Sequence, residues 1–67
     1  NPTEPNYYMA EYRFMIGDLV GGINFLRRAL NIPKLNEIQR IRFEARIDFV
    51  RDFMTEEQLQ QLRRSSG

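Results

Sequence analysis

Cysteine and histidine are both absent from this 67-residue chain. Without cysteine no disulfide can staple the fold, and without either residue a structural zinc site of the usual kind cannot be built. The same two gaps remove the side chains most used for acid–base and nucleophilic work near neutral pH. Charge of one sign is also missing in excess. Ten basic and nine acidic residues leave a formal charge of +1, which argues against a partner chosen mainly by electrostatics. Lysine is scarce, with Lys34 standing alone beside nine arginines. Arginine is favoured at interfaces and in phosphate recognition. Long apolar runs are missing as well. The longest uncharged stretch, Leu19 to Leu26, falls far short of the roughly 20 residues of a membrane span. The lack of cysteine and of a targeting signal leans toward the cytosol, and cytoplasmic location is the expectation.

What is present is an ordinary globular share of apolar residues, 42%, including five Phe, three Tyr and three Met. A chain this short is one domain at most, and it buries only about 60% of its unfolded surface. Small domains usually need disulfides, a metal or a partner subunit. With the first two excluded, oligomerisation remains, unless the packing is unusually good.

The apolar residues recur at three and four, not at two, so the fold class is all-α. Residues 1–6 hold two prolines and read as a flexible lead-in. A single helical domain follows over 7–64, with 65–67 as a tail. A first helix spans about Asn6 to Leu30 and stops at Ile32-Pro33, because the residue before proline is pushed out of the helical region. A second starts at Asn36, where Gln39 completes a variant capping box, and runs to about Phe53. A third starts at Thr55 with Gln58 as its box partner. Glu56 and Glu57 then sit in its first turn and Arg63 and Arg64 in its last, as the helix dipole prefers.

Two features qualify the three-helix reading. Met9, Tyr12, Ile16, Leu19, Ile23, Leu26 and Leu30 follow alternating steps of three and four, a heptad-like stripe. That stripe either packs on the other helices or forms a seam with a second chain. Gly17, Gly21 and Gly22 interrupt the same helix, each at about 0.8–1 kcal/mol relative to Ala. One explanation is a break, with Gly17 ending one helix and Asp18 capping the next, giving four helices. The other is close approach: Gly17 and Gly21 lie four apart and admit a neighbouring backbone. The continuous helix is the expectation, with the four-helix form as its alternative.

The second helix carries two apolar stripes. Ile38, Ile41, Ala45 and Phe49 form one. Phe43, Ile47, Val50 and Met54 form another, nearly opposite at about 100° per residue. Phe53 lies between them. Arg40, Glu44, Asp48 and Arg51 fill one gap, and Arg42 and Arg46 the other. Such a helix has more to bury than one neighbour covers. The first helix adds a weaker stripe of Tyr7, Phe14 and Phe25. Unless the loops and the N-terminal arm with Tyr7 and Tyr8 fold over this surface, Phe14, Phe25 and Phe43 stay wet, and clustered apolar surface marks a binding site.

The expectation is therefore a non-catalytic interaction or homodimerisation module, with Phe14, Gly21, Phe25, Phe43, Ile47 and Val50 at the interface. No catalytic, cofactor-binding or metal-ligating residues are expected. Ser65 and Ser66 sit in the tail, and no Gly-rich phosphate loop is followed by Lys. Glu44 and Asp48 belong to a salt-bridged solvent face. The alternative is a dimeric nucleic-acid-binding domain using Arg27, Arg28, Lys34, Arg40, Arg42 and Arg46. Glu56 and Glu57 would repel phosphate at the start of a recognition helix, and such domains usually show a clearer basic excess. A peptide lying on a membrane surface ranks last, since the polar face of the first helix carries few cations.

Overall fold

The structure is a computed structural model that describes residues 3–65, with side chains over 5–65. Four helices follow one another: α1 (Thr3–Met15), α2 (Leu19–Leu30), α3 (Glu37–Arg51) and α4 (Glu56–Ser65). All regular structure among the described residues is helical. The lead-in expected at 1–6 is helical from Thr3 onward, and residues 1 and 2 lie outside the described range. Pro5 falls in the first turn of α1, where its missing N–H is no loss. At the other end Ser65 closes α4, and 66–67 lie outside the described residues.

The continuous first helix is not what forms. Gly17 takes φ +88°, the left-handed region that glycine occupies at least cost. Its N–H donates to the Phe14 carbonyl at 3.1 Å, and the Asp18 N–H donates to the Arg13 carbonyl at 2.8 Å. This double bond pattern is a Schellman motif, which satisfies the last carbonyls of α1. Asp18 then caps α2: its carboxylate accepts from the Gly21 N–H at 2.9 Å, and its carbonyl takes the first intrahelical bond from Gly22 at 3.0 Å. Arg13 also reaches the Asp18 carboxylate at 3.5 Å. One residue ends a helix and the next starts another, so α1 doubles back along α2.

The reversal divides the heptad-like stripe. In its second half Ile23 and Leu26 are fully buried and Leu19 and Leu30 partly so, while Met9, Tyr12 and Ile16 of the first half are exposed. On α1 the inward face is instead Tyr7, Ala10 and Phe14, which pack in or against the core. Gly22 serves this packing, since the Phe14 ring occupies the space a Cβ would take.

The other boundaries follow local chemistry. Asn36 caps α3 by accepting from the Ile38 N–H at 2.7 Å and the Gln39 N–H at 3.4 Å. Thr55 and Gln58 form the full reciprocal box of α4, with bonds of 2.9 and 3.1 Å. The core is Ala10, Ile23, Leu26, Ala29, Phe43, Ile47, Val50 and Leu62. Helix α2 lies at its centre and packs against the other three helices. The shortest dimension of the molecule is 17 Å, room for two helix layers at about 8–10 Å spacing. A two-layer fold leaves one side of each outer helix open.

These roles rank by cost. Leu26→Ala should lose about 2–5 kcal/mol, because it empties a filled interior. Gly17→Ala should lose about 1–2 kcal/mol through its left-handed backbone, and Asp18→Ala about 1 kcal/mol through the lost cap. Urea unfolding of the three variants measures this order; a Gly17 effect as large as that of Leu26 would contradict it.

Candidate interaction surface

The two stripes of α3 part company in the fold. Phe43, Ile47 and Val50 turn inward, and Phe43 is 1% exposed. Ile38, Ile41, Phe49 and Phe53 turn outward, with exposures of 70, 60, 54 and 67%. Phe49 and Phe53 touch edge to face at 5.1 Å between ring centres. The outward set, the α3 ridge, thus lies along one side of α3 and into the turn after it, with the small, exposed Ala45 in its middle.

This arrangement redistributes the expected anchors. Phe43, Ile47 and Val50 are core residues and present nothing to a second chain. Phe43 is covered by Tyr7, whose ring stacks on it at 5.8 Å and 25°. The N-terminal segment thus does fold over part of the surface. Phe14 and Phe25 are partly buried against the core. Gly21 admits no foreign backbone, because the Asp18 carboxylate fills the space beside it. The exposed residues Ile38, Ile41 and Phe49 belong to the other stripe, none of whose members was expected at the interface. Only a knowledge of which face meets Tyr7 distinguishes the two.

Between α1 and α3 runs a polar seam. Arg46 grips Glu11 with two bonds, Nε to Oε2 at 2.8 Å and Nη2 to Oε1 at 2.9 Å. Paired forks of this kind are the strong form of the interaction. The Glu11 hydrogen bond raises the Arg46 pKa, partial burial opposes the rise, and the charges of Glu11 and Tyr7 add to it. A base whose pKa is raised on folding gains stability below its unfolded value and loses it only as pH climbs through the folded one. Arg46 is consequently cationic across the working range. Its guanidinium also lies 5.4 Å from the ring centres of both Phe14 and Phe49. Arg42 rests over Tyr7 at 5.3 Å. Together Tyr7, Arg42, Ala45, Arg46 and Phe49 line a cavity of 330 Å³ on the flank of the α3 ridge. On α1, Tyr8, Tyr12 and Met15 are exposed. Tyr8 and Met15 stand on the Glu11 side of the helix, three residues before it and four after, and Tyr12 lies about 100° further round.

The arginines considered for nucleic acid are divided. Arg27 and Arg28 line a separate polar cavity of 340 Å³ with Asn24, Asn31 and Ser65. Arg28 lies over Phe25 at 4.7 Å. Arg40 pairs with Glu37 at 3.8 Å, while Arg42 and Arg46 line the α3 cavity. Lys34 sits in the α2–α3 connection with φ 60°. The six cations do not converge on one cavity. Among the described residues no group of His, Cys, Asp or Glu is placed to hold a metal ion, and no helix is long and apolar enough to cross a membrane.

No family model matches the chain, and neither curated proteins nor solved structures return a match.

The Glu11–Arg46 fork has a measurable value. A double-mutant cycle with Glu11→Gln and Arg46→Gln should give a coupling of about 1 kcal/mol, since the pair is bidentate but still partly wet. Denaturant unfolding at low salt reads it, and a coupling near zero would mean that water separates the two groups in solution.

Proposed function

We propose that this chain is a non-catalytic protein-interaction module that docks another chain on the outer face of α3 and the adjoining side of α1. The observation that carries the reading is the set Ile38, Ile41 and Phe49 on one side of α3 with Phe53 in the turn that follows it, each more than half exposed. Fully burying such a side chain is worth about 1.5–3 kcal/mol, and more than half of that area is still in water. Four residues alone barely meet the roughly 4–15 kcal/mol cost of association. Tyr8, Tyr12 and Met15 extend the apolar area across the Glu11–Arg46 seam. Arg42 and Arg46 supply the polar rim, and aromatic and arginine side chains are the types that anchor interfaces.

A photo-crosslinking residue at position 49, used in the cells the chain comes from, tests this. Position 49 should yield a covalent adduct with another polypeptide, and position 57 on the outside of α4 should not. Phe49→Asp should remove that partner while leaving the unfolding midpoint within about 0.5 kcal/mol of the parent, as surface changes usually do. No adduct at position 49, or equal adducts at both positions, would refute the reading.

A further inference from the structure

From the charges flanking the α3 ridge we infer that its partner is a second copy of this chain, paired α3 to α3 in parallel about a twofold axis; this rests on the interaction reading above. Helical spacing at about 100° per residue puts Glu37, Glu44 and Asp48 along one edge of the ridge, with Arg40 and Arg51 behind them toward the core. On the other side Arg42 stands at the margin of the ridge, next to the line of Phe49, and Arg46 lies just beyond it. The ridge is thus acidic on one side and basic on the other. Among the described residues Glu44, Asp48 and Arg42 make no ion pair within the chain. These charges are left for something outside it.

The symmetry of the pair decides what the edges meet. In an antiparallel pair each edge faces its own copy. With Ala45 at the crossing point, Glu44 would approach the partner's Asp48 and Glu37 the partner's Asp52, while Arg42 would approach the partner's Arg46. Every one of those juxtapositions is repulsive. In a parallel pair the acidic edge of each copy faces the basic edge of the other. Glu37 then lies five residues before the partner's Arg42, the spacing of flanking ion pairs in parallel coiled coils. The partner's Glu44 arrives at the level of the cavity lined by Tyr7, Arg42, Ala45, Arg46 and Phe49, where the Arg42 guanidinium lies over Tyr7 and has no carboxylate partner within the chain. Ala45 at mid-ridge lets the helices approach, and Ile38, Ile41 and Phe49 each meet their own counterparts. Two like faces double the apolar area that one face offers, which a foreign polar surface would not.

The absence of native cysteine makes the geometry testable with single-cysteine variants. In a parallel pair, Ile38→Cys and Ala45→Cys both oxidise to covalent dimers, well above Glu57→Cys on α4. Light scattering of the parent chain at about 100 μM should give twice the monomer mass. Glu44→Arg should weaken the dimer about tenfold, as like charges across an interface do. Covalent dimer from position 45 but not 38 would establish an antiparallel pair and overturn the inference. A monomeric parent chain would also overturn it. In that case a foreign adduct at position 49 would leave the wider interaction reading standing, and no adduct would remove both.

Discussion

The reversal at Gly17-Asp18 decides which side of every later helix is inside. A helix running unbroken to Leu30 would carry Met9, Tyr12, Ile16, Ile23 and Leu26 on one line. Folding α1 back on α2 breaks that line, sending the first half outward and the second half into the core. The inward face of α1 becomes Tyr7, Ala10 and Phe14. Tyr7 then selects Phe43 as its neighbour, and with it the Phe43, Ile47 and Val50 side of α3. The opposite side, with Ile38, Ile41 and Phe49, is left facing water.

The seam between α1 and α3 holds this choice in place. Glu11 sits one residue after buried Ala10, and Arg46 one residue before buried Ile47. A two-pronged bond between them fixes the rotation of both helices. Rotating α3 to hide its outer ridge would break that fork, unstack Tyr7 from Phe43, and expose three large core residues instead. Nothing is gained by the exchange, because the helix carries about equal oily area on both sides.

Much of the fold could be read from residue order because it is set by local bonds. Asn36, Thr55, Gln58 and Pro33 each act within a few residues, and each marks a helix end as expected. Gly17 and Asp18 carried the signal for the break as well. The regular three-and-four spacing across them argued the other way, and spacing does not register that a Schellman turn and a cap can share adjacent residues. The inner and outer stripes of α3 were beyond reach for a different reason. Both are apolar, and the distinction between them rests on Tyr7 and Glu11, more than 30 positions away in the chain. Surplus apolar surface on α3 was foreseeable, but the identity of the exposed half was not.

Four rings of this fold, Tyr7, Phe14, Phe25 and Phe49, have guanidinium groups over them. Arg13 and Arg28 cover Phe25, Arg42 covers Tyr7, and Arg46 covers Phe14 and Phe49. A flat, weakly hydrated cation can tile an aromatic face in a way that a compact ammonium cannot. The near-exclusion of lysine, which from composition alone looked like an adaptation to some outside ligand, has an internal cause at these four positions. Arginine here is roofing: a small protein with too few layers to wall in its aromatics shingles them with its own charged side chains.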